Sequence, residues 1–362
     1  MKFTSIRRAA VIAAAAAALS LAACSSGTAP AGNGTDAAPA DGEGISIALS
    51  NGFVNGWRLT LINKFEEAAE ALKAEGKVSE VTSVNAPGEN SATEQASQIR
   101  SLMLQDPDVL MVIPASSTAL VPTVEEACNA GITVIVLDAD MDAPCATIVR
   151  NAYDVWGEDS LVPALEAIDG SGNIILNRGV IGSQPEEEFY NRQKEILADY
   201  PDVNVVAEVN GYCDSSTVQK EVVGVLGSLP EVDAVPGCIG GMGVVQAFES
   251  AGRDAPVVVF DTDGKSLQFW KDSGIDNGSY AALTDPGQVV AAIHIALAKI
   301  AGEEVPQEVV LPVIQIGEDD LDYWLDTLET DEFASYPWDE ESVTAALDAI
   351  NAGDVAVAPE LK

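Results

Sequence analysis

From residue 45 onward the chain repeats one unit: a short β-branched run, then a longer amphipathic run, the two separated by Gly, Pro, Asn or Asp. That alternation is the mark of βαβ layering, because a parallel strand pair needs a connection long enough to hold a helix. DVLMVIP from Asp108, ITVIVLD from Ile132, NIILNRG from Asn173, VNVVAEV from Val203 and PVVVFDTD from Pro256 are apolar throughout, the pattern of strands covered on both faces. ISIALS from Ile45 reads as a further strand. After it, Leu61, Phe65, Ala68 and Leu72 recur at helical spacing and predict a helix with one buried face. Roughly ten strands are expected in all. At CATIVRNAYDVWG, residues 145–157, a strand-like run leads into a new helix and a second series of units begins. The expected fold class is therefore α/β, with two doubly wound parallel-sheet lobes, and 362 residues suit two domains.

The first 44 residues lie outside that pattern. Lys2, Arg7 and Arg8 precede an apolar run over residues 9–21, too short to span a bilayer, and small residues lead up to Cys24. This is an export signal, and its LAAC ending resembles a bacterial lipobox, which implies cleavage after residue 23 and a lipid on the Cys24 sulfur. An ordinary secretory signal with a chance cysteine is the alternative. Residues 25–44 consist only of Ser, Gly, Thr, Ala, Pro, Asn, Asp and Glu. Such a stretch buries no apolar surface and predicts a tether over 24–44, with a coil dimension of roughly 25 Å.

Charge narrows the partners. Against 57 Asp and Glu the chain sets 18 Lys and Arg, a formal net charge of −39, and three of those cations belong to the leader. Nucleic acid and anionic membrane surfaces call for a basic face, so neither is an expected partner. The charge serves solubility. Export makes pairing of Cys128, Cys145, Cys213 and Cys238 the expectation. Three connectivities are possible, with pairing inside each half preferred. No CxxC spacing exists and the single histidine, His294, sits in an apolar helix pattern, so no metal or cofactor is expected.

In open parallel sheets ligands bind beyond the carboxyl ends of the strands. Those ends carry Asn51, Asn55, Trp57 and Arg58, then Ser116 and Ser117, then Asp138 and Asp140. In the second series they carry Asn177 and Arg178, Tyr212 and Asp214, and Asp261 and Asp263. Carboxylates, guanidinium groups and aromatics on one cleft suit a neutral polyhydroxylated ligand, whose hydroxyls donate and accept while a ring covers its C–H face. Asp at a strand end is also a common helix N-cap, the role expected of Asp214 and an alternative for Asp138.

The residues from 45 to about 313 resemble the sugar-binding lipoproteins of bacterial ABC importers, which have the type I periplasmic-binding-protein fold in its ribose-binding-like branch. ALSNGFVNGWRLTLINKFEEAA is similar to the family's first strand and helix, and the resemblance puts Asn55, Trp57 and Arg58 against the sugar. VLMVIPASSTALVPTVEEACNAGITVIVLDAD is similar to the stretch whose final Asp binds hydroxyls, here Asp138. PVVVFDTDG places Asp261, and LTDPGQVVAA places Gln288 near a hinge crossing. The family's Asn after the third strand is Ile113 here, its Arg after the fourth-strand Asp is Ala139, and its arginine in the helix after Gly179 falls at Phe189. There Phe189 with Tyr190, or Arg192 one turn on, remain alternatives. Around CIGGMG, residues 238–243, the expected Asn or Gln-Asp pair is absent.

The resemblance implies a three-segment hinge near 152–154, 286–288 and 311–313. The lobes are then 45–152 with 287–312, and 153–286 with 313–362, the second including an acidic tail. It also implies a monomer that delivers a sugar or polyol to a permease and ATPase pair. A sensor presenting a sugar to a membrane receptor is the alternative. An exported glycosidase is a weaker one: there is no G-x-S-x-G or HExxH, and with 57 acidic residues carboxylate pairs carry no information. No GxxxxGK[ST] is present, so the chain is not the ATPase. The tail, residues 317–362, is expected to strap one lobe through Tyr323, Trp324, Tyr336 and Trp338, with permease docking the other reading of those aromatics.

Overall fold

A computed structural model describes residues 44–88 and 91–361. The leader, Cys24 and nearly all of the tether lie outside the described residues. The first series folds as β1 (Ile45–Asn51), α1 (Gly56–Ala74), β2 (Val78–Asn85), α2 (Ala92–Met103), β3 (Val109–Ile113), α3 (Val121–Asn129), β4 (Thr133–Leu137) and β5 (Thr147–Asn151). The second opens with α4 (Tyr153–Asp159) and α5 (Val162–Ala167). It continues as β6 (Gly172–Arg178), α6 (Gln184–Leu197), β7 (Val203–Asn210), α7 (Ser215–Leu226), β8 (Ala234–Val235), α8 (Gly241–Ser250), β9 (Val257–Phe260), α9 (Gly264–Ser273) and β10 (Tyr280–Leu283). Then come α10 (Gln288–Ala301), β11 (Glu308–Leu311), β12 (Ile314–Ile316), α11 (Leu321–Thr327) and α12 (Glu340–Asn351).

The two sheets share one topology. Their strand orders are β11-β5-β4-β3-β1-β2 and β12-β10-β9-β8-β6-β7. Pairing is parallel except at β12, which lies antiparallel to β10. In the first sheet Val109, Met111 and Ile113 of β3 face a core shared with α1 and α10, while Leu110 and Val112 face one shared with α2 and α3. The alternation of β-strand side chains thus serves two apolar layers, which is why β3 reads as unbroken hydrophobicity. VNVVAEV departs from that expectation. It forms β7, an edge strand that pairs only with β6 among the described residues, and Val205 stands 41% exposed there.

The chain passes between the sheets at Ala152, between Leu283 and Gln288, and between Leu311 and Ile314. The tail crosses once more. Leu321 and Trp324 lie in the second lobe's core with Ala334, whereas Trp338, Val343, Ala346 and Leu347 lie in the first lobe's core, where α12 packs on α10. A strap on one lobe, and a tail assigned wholly to 313–362 of the second lobe, are thereby corrected. Which lobe α12 covers depends on the long-range path of the chain, which local pattern along the tail does not record.

Disulfides join Cys128 to Cys145 and Cys213 to Cys238. In the CIGGMG turn, Gly240 has φ 116°, and a β-carbon at Gly243 would strike the Ser215 carbonyl at the start of α7. Glycine there admits close packing of α7 on α8, which accounts for the missing polar pair.

Candidate functional site

The first lobe's polar residues converge where its strands end beside the crossings. Asn55 caps α1, accepting from the Arg58 amide at 2.8 Å, and so aims the first helical turn at the strand ends. Arg58 then reaches inward. Its Nη2 donates to Asp138 Oδ2 at 3.0 Å, its Nη1 to Asn51 Oδ1 at 3.0 Å, and its guanidinium lies 4.1 Å above the Phe53 ring. Asp138 follows β4 in the left-handed region, φ 57°, and its Oδ1 accepts from the Tyr153 hydroxyl at 2.9 Å and from Gln288 Nε2 at 3.3 Å. Gln288 Oε1 is buried with no partner among the described residues.

Both members of the ion pair are nearly sealed from solvent, at 9% and 12% side-chain exposure. Burial pushes the Asp138 carboxyl up and the Arg58 guanidinium down, and each charge opposes the other's shift. A buried pair is at best about neutral against apolar residues of the same size. Its presence beyond the end of β4 is therefore weakly explained by stability alone. Tyr153 is buried and its hydroxyl is held well above the usual range by burial, then by Asp138. It was not among the expected site residues, although it stands inside the crossing expected near 152–154.

In the second lobe, Asp261 ends β9. It is 6% exposed, accepts from Ser215 Oγ at 3.2 Å, and burial, then Asp263, pushes its carboxyl up to about 7. Beside it Thr262 Oγ1 is buried without a partner among the described residues. Between the lobes lies an apolar cluster of Tyr153, Trp156, Phe189, Cys238, Ile239, Leu283 and Val313, against which Trp57, Tyr190, Cys213 and Phe333 pack. Trp57 Nε1 donates to the Thr284 carbonyl in the second crossing at 3.0 Å.

Other expected site residues are engaged elsewhere. Asp263 caps α9, accepting from the Ser266 amide at 3.1 Å and the Ser266 hydroxyl at 2.7 Å, and Asp214 caps α7. Phe189 is buried against Trp156, ring centroids 4.4 Å apart. Arg192 pairs with Glu158 at 2.5 Å and Glu195 at 3.5 Å on the α4–α6 surface, so neither alternative at that helix leaves a free group in the cleft. Arg178 pairs with Glu186 at 2.6 Å and Glu208 at 3.5 Å and covers the Tyr190 ring. Ser116 Oγ accepts from the Ala119 amide at 3.2 Å, closing the turn before α3. Tyr212 is 54% exposed with φ 54°, next to the Cys213–Cys238 bridge.

A family model for the periplasmic binding protein domain matches residues 47–304, more than half of the chain. A xylitol-binding protein of Mycolicibacterium smegmatis is 26% identical over 332 residues, 89% of this chain and 88% of that protein. The crystal structure of an ABC transporter solute binding protein from Thermobispora bispora is 50% identical with a TM-score of 0.82, covering 88% of this chain and 99% of the other. A solute binding protein from Bacillus halodurans with bound myo-inositol, 20% identical with a TM-score of 0.69 over 79% of this chain and 99% of the other, shares the fold. The chain belongs to the periplasmic binding protein domain family, in the two-lobed type I form, and is a solute-binding protein rather than an enzyme.

Proposed function

We propose that this chain captures a neutral sugar or polyol between its lobes and delivers it to an ABC permease, held at the outer face of the cytoplasmic membrane by a lipid on Cys24. The observation that carries the reading is the buried Arg58–Asp138 pair with Tyr153, Gln288 and Asn51 around it. Arg58 uses two nitrogens in bonds within the protein and keeps further N–H donors, and Asp138 Oδ2 keeps acceptor capacity. Donors and acceptors at one point suit hydroxyls, each of which does both. Asp261, buried after β9 in the second lobe, would meet the ligand from the other side. Relatives whose names specify xylitol and ribose bear on the ligand class.

Closure of the lobes removes water from these groups, strengthens their charge-assisted bonds, and presents a surface that a permease distinguishes from the open form. No helix among the described residues is long and apolar enough to cross a membrane, so the proposed anchor is the lipid. Thermal unfolding against xylitol, D-ribose, myo-inositol and D-allose tests the ligand class. At a thousand times its dissociation constant a true ligand adds about 4 kcal/mol of stability, a rise of several degrees. No rise with any of them overturns the sugar or polyol reading.

A further inference from the structure

The tail brings a side chain to the cleft from outside the stretch that the family model covers, residues 47–304. We propose that Phe333 is a ligand-binding residue, the apolar wall against which the C–H face of the sugar or polyol rests. This deepens the reading of the cleft given above and rests on it.

The segment around Phe333 is tied to the second lobe by an isolated antiparallel bridge and flanking backbone bonds. Phe333 bridges Asp263 in antiparallel fashion, the Ala334 amide donates to the Thr262 carbonyl at 2.9 Å, and the Gly264 and Lys265 amides donate to the carbonyls of Glu332 and Thr330 at 3.1 and 2.7 Å. It is tied equally to the first lobe. The Phe333 amide donates to Thr60 Oγ1 at 3.2 Å, and Glu332 pairs with Lys64 at 2.8 Å. A β-carbon placed on Gly56 would lie 3.4 Å from Phe333 Cε2, so the ring rests over the first turn of α1. That turn carries Trp57 and Arg58, and Asp263, which bridges Phe333, stands two residues after Asp261. The ring thus rests on the turn that carries the first lobe's half of the site, while its backbone is fixed to the turn that follows Asp261 in the second lobe.

The ring is half-buried, while Ala334 beside it is fully buried. It packs against the interlobe cluster without being enclosed by it. Several nearby aromatics are committed, Phe189 to Trp156, Tyr190 beneath Arg178 and Phe53 beneath Arg58, while Trp57 packs beside Phe333 on the same cluster and is held through its Nε1 by the Thr284 carbonyl. A polyhydroxylated ligand needs apolar cover as well as polar partners, and Phe333 is the ring placed to give it.

Titration calorimetry with xylitol, D-ribose, myo-inositol and D-allose on the native protein, Phe333→Ala, Phe333→Leu, Phe333→Tyr and Asp138→Asn tests the assignment. For whichever compound the native protein binds, Phe333→Ala weakens binding about tenfold or more, and Phe333→Tyr stays within about threefold. Phe333→Leu keeps apolar volume and unfolds within a few degrees of native. It also loses the upfield ring-current shift of the bound ligand's C–H protons in NMR, a signature that simple core filling does not produce. Native-like affinity and unchanged ligand shifts in Phe333→Leu and Phe333→Ala, with binding abolished by Asp138→Asn, overturn this inference alone. A native protein that binds none of the four overturns the ligand class and this inference together.

Discussion

Arg58 and Asp138 can be separated into a folding role and a binding role. Removing one partner of a buried pair strands the other charge, which costs about 3 to 5 kcal/mol. Asp138→Ala should therefore lower the unfolding temperature sharply and abolish ligand binding together. Arg58→Met combined with Asp138→Leu leaves no buried charge, so chemical denaturation should return most of the lost stability while binding stays absent. Recovery of binding in that double variant would remove the pair from the site. Asn55, Asp214 and Asp263 show the limit of reading single residues, because each stands at a strand or turn end and each is a helix cap. A cap and a ligand contact ask for the same short polar side chain at the same place, so the two roles look alike until the partners are known.

At the scale of elements the tail is where sequence and structure part furthest. Its acidic and aromatic spacing was plain, yet its path from the core of one lobe to that of the other was not. Trp338 anchors the second half of that path: its Nε1 donates to Asp285 Oδ2 at 2.7 Å, and Asp285 in turn exchanges bonds with Asn151 at the first crossing. Trp338→Phe keeps the ring in its pocket and deletes the bond to a charged acceptor, so urea denaturation should show a loss of about 1.5 to 3 kcal/mol. A loss below about 0.5 kcal/mol would mean that the crossing holds without the strap. The helices themselves were legible, since α1, α6, α7, α9 and α12 begin at Asn, Ser or Asp caps that stand before their apolar periods.

For the whole molecule the governing quantities are burial of carboxylates and excess negative charge. Burial pushes Asp261 up to about 7 and Asp159 and Asp285 up to about 6. The folded protein therefore holds protons that the unfolded chain releases, so their contribution is full below the unfolded carboxylate pKa of about 4 and is lost progressively as pH rises to the folded values. His294 acts oppositely: burial lowers it from 6.5, so its effect is confined below that pH. From about pH 4 to 7 these groups should pull the unfolding temperature down as pH rises, and Asp261→Asn should remove its part of that fall. An unchanged profile in the variant would exclude Asp261 as its source. With a net charge of −39, added salt should also raise the unfolding temperature by screening repulsion.

The alternation of apolar runs determined the class of fold, the placement of most strands and helices and the start of the second lobe, because periodicity and capping act over a few residues and leave their record in order along the chain. It also put Arg58, Asp138 and Asp261 just beyond the ends of strands, whereas Gln288 was named only by the family resemblance. Only the tertiary structure decided that β7 lies at an edge, that Phe189 turns onto Trp156, that Arg178 and Arg192 are spent on neighbouring glutamates, and that Phe333 stands between the lobes. Each of those outcomes depends on a partner brought near by the fold rather than by the chain, and local pattern carries no information about such a partner.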